Sequence, residues 1–526
     1  MPHFITLSHI SWSTPDGRPL LKDINLRFGQ ERVGLVGRNG AGKTTLLKLI
    51  SGELAPSDGS IVISGALHVL RQSLQVTAGE TVGDLFGARD ALDVLAKAQA
   101  GHATIEELGD VDWLLEDKIA EATSRFGLDA SPATPLCELS GGQRTKVALA
   151  ALNYVSPDII LLDEPTNNLD HEGRRAVAEF LHAWRGGAIV VSHDRQLLDT
   201  MDAIVELTSL GASRYGGNWS LYRQTKELEL ASAQRDLDTA EKSASDAKQN
   251  AQDALERKAR QDRAGSRKAA KGDMPRIVAG GRKMAAQQTS GKTANRTAQQ
   301  QGEAAQQLQK ARERMEILQP LTISLPSTKL AATKVVLKLM NVTGGFAAEA
   351  PVIRDFSFEV RGPQRVAITG PNGSGKTTLL SLITGGLPPC QGEVRVGVDL
   401  AYLDQDVSIL DRQMSINDNF LQLNPEAEEN QCRAALARFM FRADAALQRV
   451  ESLSGGQILR AGLACVLGGP APPQLLVLDE PTNHLDLDAI ASVEAGLTAY
   501  NGALLVVSHD EVFLSNVGID RRLDLG

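Results

Sequence analysis

Gly37-Arg38-Asn39-Gly40-Ala41-Gly42-Lys43-Thr44 and Gly370-Pro371-Asn372-Gly373-Ser374-Gly375-Lys376-Thr377 decide the fold of this 526-residue chain. Both stretches fit G-x-x-x-x-G-K-[ST]. Each follows a short apolar run (Val33 to Val36; Val366 to Thr369) and opens a helix-forming one (Leu46 to Ile50; Leu379 to Ile383). Strand, glycine loop, helix is the context that separates a phosphate-binding loop from a chance turn. Glycines let backbone N–H groups curl round an anion, and the helix N-terminus adds partial positive charge. Lys43 and Lys376 are placed to reach the β- and γ-phosphates of a nucleotide. Thr44 and Thr377 are placed to hold Mg²⁺, and Thr45 and Thr378 complete each loop.

Working outward, the duplication continues. Leu139-Ser140-Gly141-Gly142-Gln143 recurs as Leu453-Ser454-Gly455-Gly456-Gln457. Ile159 to Asp163, followed by Glu164, recurs as Leu475 to Asp479, followed by Glu480. Val191-Ser192-His193-Asp194 recurs as Val507-Ser508-His509-Asp510. Gln72 and Gln405 each lie 29 positions after the loop lysine, and each histidine lies 30 after its aspartate. The chain therefore carries two copies of one domain. Strands alternating with helices predict an α/β fold with a parallel-sheet core in each copy.

This motif order resembles the ATP-binding cassette ATPases: P-loop, Q-loop, LSGGQ signature, Walker B with adjacent Glu, and switch histidine. The resemblance covers 1–222 and 330–526. It implies two P-loop NTPase cassettes, with 223–329 as the interdomain linker. It also implies head-to-tail pairing within one monomer, each ATP lying between one P-loop and the other signature. One site would then combine Lys43, Thr44, Gln72, Asp163, Glu164 and His193 with Ser454, Gly455, Gly456 and Gln457. The other would combine Lys376, Thr377, Gln405, Asp479, Glu480 and His509 with Ser140, Gly141, Gly142 and Gln143. Asp163 and Asp479 would hold Mg²⁺, and the glutamines would approach metal and water. Glu164 and Glu480 would polarise the attacking water, and His193 and His509 would hold the γ-phosphate. Trp12 and Phe346 would stack on adenine. Such chemistry is positioning and charge stabilisation.

Glu164-Pro165-Thr166-Asn167-Asn168-Leu169-Asp170 and Glu480-Pro481-Thr482-Asn483-His484-Leu485-Asp486 resemble the EPTNxLD form of the ABC-F class. Ser192-His193-Asp194-Arg195 fits that class, as does Tyr215-Gly216-Gly217-Asn218-Trp219-Ser220-Leu221-Tyr222 at the entry to the linker. The second half departs from it with Asp510-Glu511. Membership implies an ATPase without membrane domains that binds ribosomes, at rRNA and P-site tRNA, and modulates translation or protects ribosomes from antibiotics. Two other readings stay open. One is an ATPase partner of separate membrane transport subunits; the other is a DNA-maintenance ATPase. Structural-maintenance ATPases, however, insert a coiled coil inside one cassette, and excision-repair cassettes carry Cys-rich zinc modules.

The linker is made of different material. Lys226 to Asp262 has no Pro or Gly and favours helix, roughly 55 Å of it. A second helix is expected from Thr297 to Leu318, with Leu308, Ala311, Met315 and Leu318 at heptad-like spacing. Gly265, Gly272, Pro275, Gly280, Gly281 and Gly291 are expected to break the pattern between them. Arg257 to Arg296 holds twelve Lys/Arg against two acids, a balance of +10 in a chain of formal net charge −9. Such asymmetry points to a polyanion, with Arg267, Lys268, Lys271, Arg282 and Lys283 as RNA-contacting candidates.

Composition excludes several classes. No apolar run approaches the roughly 20 residues of a membrane helix, and Met1-Pro2-His3-Phe4 opens no secretory signal. The expectation is a cytoplasmic protein. Cys137, Cys390, Cys432 and Cys465 have no metal-ligand spacing.

Overall fold

The computed structural model describes residues 3–70, 79–109, 111–167, 169–208, 211–269, 299, 302–310, 325–346, 351–483 and 485–525. The chain divides into two compact units. Met1–Tyr222 with Leu321–Gly526 forms one, and Arg223–Pro320 the other.

In the first unit each cassette is built on a parallel sheet. The strand before the first P-loop, Arg32–Val36, lies between Gly187–Val191 and Ala203–Thr208. Ile159–Asp163 and Leu67–Leu70 extend the sheet on one side, and the antiparallel Gly211–Gly216 closes the other. The second cassette repeats the order with five strands: Leu400–Leu403, Leu475–Asp479, Ala503–Val507, Arg365–Thr369 and Arg521–Asp524. Short runs rich in Val, Ile and Leu suit this place, because helices and a second sheet bury both faces. All five positions of Ile159–Asp163 and of Leu475–Asp479 are buried. Those two strands therefore end by pushing an aspartate, and after it a glutamate, out of the apolar layer into the site.

A three-stranded antiparallel sheet lies beside each core: Pro19–Phe28, Phe4–Ser13 and Asp58–Ser64 in the first cassette. Ile353–Arg361, Val335–Gly344 and Gln391–Val396 form its counterpart. The stretch from Gln72 to Leu139 is longer than its counterpart, Gln405 to Leu453, by 19 residues. The surplus lengthens the first helical subdomain. It holds Val82–Leu85, Arg89–Gln99, Ile105–Gly109 and Leu115–Ser124. The second holds two α-helices, Ile416–Leu423 and Glu429–Arg438. Residues 325–329, counted with the linker in the sequence reading, make their contacts on the second cassette. Leu325 lies against its core and the Thr328 N–H donates to Asn501 Oδ1 at 2.9 Å.

The linker carries one long helix, Trp219–Ala269, of 51 residues. At 1.5 Å per residue it extends roughly 75 Å. Gly265 does not break it, contrary to the sequence expectation. A single interior glycine costs about 1 kcal/mol relative to alanine, and the flanking helix-favouring run outweighs that. Trp219 and Tyr222 at its start are buried against the first cassette, and beyond them its buried positions include Ala233, Ala240 and Ala251. Residues 302–310 are helical, as expected for the return segment. Lys271, Arg282 and Lys283 lie outside the described residues, as do Met315 and Leu318. Arg267 and Lys268 fall in the last turns of the long helix.

Candidate functional site

Each P-loop runs from a buried strand into a helix, Lys43–Ile50 or Lys376–Thr384. The helix is entered through Gly42 at φ 97° or Gly375 at φ 95°, left-handed values that a side chain adopts only with strain. At Gly37 a Cβ would stand 2.4 Å from the Leu207 carbonyl oxygen, so the loop hugs the neighbouring strand. The lysines fold back over their loops. Lys43 Nζ donates to Gly37 O at 2.7 Å and Arg38 O at 3.2 Å. Lys376 Nζ donates to Gly370 O and Pro371 O, both at 2.9 Å. Both ammonium groups are thus held beside the loop amides of Asn39, Gly40 and Ala41, or of Asn372, Gly373 and Ser374.

The residues expected to hold Mg²⁺ converge. Thr377 Oγ1 donates to Asp479 Oδ2 at 3.4 Å, and Thr44 hydrogen-bonds Asp163. One hydroxyl and one carboxylate are oxygen donors of the kind that would suit Mg²⁺.

The glutamates show a feature with no sequence signature. Glu164 sits at φ 50° and Glu480 at φ 47°, left-handed values at non-glycine residues. Such strain costs of order 1–3 kcal/mol and persists only where the surroundings impose it. Here the neighbouring strand does so: the Glu164 N–H donates to Val191 O and the Glu480 N–H to Val507 O, both at 2.9 Å. The bend turns each carboxylate toward the switch histidine. His193 Nε2 is 3.2 Å from Glu164 Oε1, and His509 Nε2 is 3.3 Å from Glu480 Oε1. Burial pushes Glu164 up to about 8, partly opposed by the charge of Lys43. It pushes Glu480 up to about 7, opposed chiefly by Arg174. Burial also drives the histidines down, His193 to about 3 and His509 to about 4. Each pair is therefore a carboxyl beside a neutral imidazole. Among the described residues Glu480 Oε2 is buried with no hydrogen-bond partner, an acceptor available to a bound water.

The signature segments are helix N-termini. Ser140 Oγ accepts from Gln143 N at 3.3 Å, while Gln143 Oε1 accepts from Ser140 N at 2.9 Å. Ser454 and Gln457 repeat this capping box at 3.4 and 2.9 Å. The observed bonds of Gln143 and Gln457 are thus internal to the cap. The first-turn amides, at Gly141, Gly142, Gly455 and Gly456, are the anion-binding end of helices Gly141–Val155 and Gly455–Leu467.

Of the two aromatics, Phe346 is 76% exposed, whereas Trp12 is half-buried against the core of its cassette. Gln405 lies exposed in the turn after Leu400–Leu403. Gln72 lies outside the described residues.

The cassettes touch, and the residues that make this contact were not read from the sequence. Asp486 Oδ1 caps its own helix at Ala489 N, at 2.8 Å, while Oδ2 accepts from the Asn39 N–H of the first P-loop, at 2.7 Å. Arg38 Nε reaches Asp488 Oδ2 at 2.9 Å, and Arg195 Nη1 reaches Glu494 Oε1 at 2.6 Å. The charge of Asp170 acts in turn on Lys376 of the second P-loop. The recurrent Asn-x-Leu-Asp after each Walker glutamate was the available signal. It looked like a family mark rather than a seam.

The sequence profile described as "ABC transporter" matches residues 21–167 and 353–483. The chain belongs to the ATP-binding cassette family, in its ABC-F class. It is 31% identical to the "Tylosin resistance ATP-binding protein TlrC" of Streptomyces fradiae, over 94% of this chain and 92% of that one. It is 32% identical to the "ATP-binding protein Uup" of Haemophilus influenzae, over 98% and 77%. With the "ABC transporter F family member 2" of Arabidopsis thaliana it shares 29%, over 98% and 75%. Among solved structures the fold is similar to the "RNase-L Inhibitor", with TM-score 0.56 at 17% identity, covering 96% of this chain and 85% of that one. Among the described residues no helix is long and apolar enough to cross a membrane.

Proposed function

We propose that the protein hydrolyses ATP to ADP and phosphate at two composite sites, with Mg²⁺ as cofactor. The observation that carries this reading is the bond from the first P-loop to the second cassette, Asn39 N–H to Asp486. It brings Lys43, Asp163, Glu164 and His193 against the opposite cassette, the arrangement a shared nucleotide needs. In this reading the loop amides and lysines bind the phosphates. Thr44 with Asp163, and Thr377 with Asp479, would hold the metal, which would supply charge neutralisation at the phosphates. Glu164 and Glu480 orient water and, in their ionised form, take its proton, and His193 and His509 hold the γ-phosphate. Ser140 and Ser454, each with its following glycines, cap that phosphate from across the seam. Phe346 and Trp12 stack on adenine, and Gln72 and Gln405 approach the metal and water. The test is Glu164→Gln with Glu480→Gln. ATP binding is expected to survive and turnover to fall by roughly 10²–10⁴, the range for losing a general base. Near-normal steady-state turnover would remove the assignment.

We further propose that the partner is the ribosome, contacted through the linker by rRNA and P-site tRNA, with a role in translation or in antibiotic protection. Support comes from the +10 balance of Arg257 to Arg296 on an otherwise acidic chain. Similarity to a tylosin-resistance protein adds to it. The tip has no aromatic residue for base stacking, so contacts are Lys and Arg to phosphate. The doubly substituted protein with ATP is expected to co-sediment with ribosomes, less so as salt rises. Changing Arg267, Lys268, Lys271, Arg282 and Lys283 to Gln weakens that binding while ATPase persists. Equal binding by the Gln variant would end the linker reading.

A further inference from the structure

The second cassette's helix Leu487–Ala499 meets the Lys43 site at two places. At its start, Asp486 accepts from Asn39 and Asp488 pairs with Arg38. Two turns on, Glu494 pairs with Arg195, the second residue after His193. The two ion pairs differ in kind. Arg38 and Asp488 are about two-thirds exposed, and such pairs contribute little. Arg195 and Glu494 are 4% and 12% exposed. A partner left alone there is an uncompensated buried charge. Arg195 Nε and Nη2 lack partners among the described residues, so Glu494 supplies its hydrogen-bonded counter-charge, with the charge of Asp510 acting on it as well.

The duplication gives an internal control. The two cassettes align without gaps from Asp163 to Arg195 and from Asp479 to Glu511. Ala178 stands at the place of Glu494, and Glu511 at the place of Arg195. Glu511 instead pairs with Arg522 of its own cassette at 2.6 Å. Pro371 stands where Arg38 does in the first P-loop. Among the described residues, no ion pair takes the place of Arg195–Glu494 at the equivalent positions Ala178 and Glu511.

We propose that helix Leu487–Ala499 is a one-sided splint across the P-loop and switch loop of the Lys43 site, making it the slow-exchanging nucleotide site. The proposal rests on the ATP-binding reading above. While Arg195 and Glu494 stay paired, P-loop and switch loop are both tied to the second cassette, and a nucleotide between them is occluded. At the Lys376 site Arg174 of the first cassette acts on Glu480 and Asp510 by charge, while its ion pair is to Asp194 of its own cassette. With no buried ion pair matching Arg195–Glu494 among the described residues, that site exchanges faster.

The test uses full-length protein with Glu164→Gln and Glu480→Gln, loaded with radiolabelled ATP and chased with unlabelled ATP. Two release phases of similar amplitude are expected. The slow phase survives Lys376→Ala and disappears with Lys43→Ala. Adding Glu494→Gln speeds the slow phase roughly tenfold or more, as loss of a buried interfacial charge partner does. The fast phase is unmoved. The swap Arg195→Glu with Glu494→Arg restores the slow phase, which separates a specific pair from general damage. Failure to bind ATP would defeat the functional reading itself. Binding with a single release phase, a slow phase indifferent to Glu494→Gln, or a swap that does not restore it would overturn the splint alone.

Discussion

The two cassettes share their motifs in order and spacing but do not share their cores. In the first, the helical subdomain has a hydrophobic cluster of its own, from Val82 and Phe86 through Ile119 to Ala151. A separate cluster lies under the sheet around Leu149, Leu162 and Val190. In the second, one cluster runs unbroken from Phe420 and Phe439 of the helical subdomain through Leu463 to Val506 of the sheet. In the proposed chemistry both sites ask for the same phosphate and metal contacts, which leaves the contacting positions little freedom. The supporting layer is free to differ. A separate core lets one subdomain yield while its sheet stays intact, whereas a continuous one couples them.

The sharpest break in that comparison comes from the core. Phe420→Ala removes a fully buried ring and is expected to cost about 3–5 kcal/mol. Hydrogen exchange should rise across the whole second cassette, sheet included. Leu95→Ala costs about 2–5 kcal/mol, and its exchange increase should stay within the first helical subdomain. Exchange spreading equally in both variants would contradict the difference in continuity.

A smaller effect separates the two glutamates. Each carboxyl is raised by burial, so each contributes stability at low pH that is lost as pH rises through its folded value. That value is about 7 for Glu480 and about 8 for Glu164. The depressed histidines add a slope of opposite sign that fades above their unfolded value of 6.5, and it is common to all the proteins compared. Between pH 6.5 and 8 in EDTA, the wild-type melting temperature should fall by about 1–2 °C more than that of the double Gln variant. Glu164→Gln should remove more of the difference than Glu480→Gln. Parallel curves for all four proteins would argue against buried, protonated carboxyls.

Smaller still is the signature cap. Ser140→Ala and Ser454→Ala each remove one side of a capping box and should cost about 1 kcal/mol, equally in both cassettes. An unequal cost would locate a further difference between helices Gly141–Val155 and Gly455–Leu467.

Much of this was legible in the residues. The strand–loop–helix context placed both P-loops, and the 19 surplus residues became the additional helices of the first subdomain. Other features were hidden for physical reasons. The positive φ of Glu164 and Glu480 is imposed by the adjacent strand, and nothing local in Asp-Glu-Pro announces it. Glycine punctuation misled at Gly265, where a long helical run outweighs one weak residue. The Arg195–Glu494 pair joins positions 299 apart, beyond any pattern within one element.

The central claim is that each nucleotide site is shared between cassettes, and single-site turnover tests it most directly. With Glu480→Gln, only the Lys43 site hydrolyses; with Glu164→Gln, only the Lys376 site does. Ser454→Arg is added to each and ATP turnover is measured. The account predicts that Ser454→Arg stops hydrolysis in the Glu480→Gln protein and spares it in the Glu164→Gln protein. The opposite pattern would mean that each signature serves its own cassette, and would contradict the shared site.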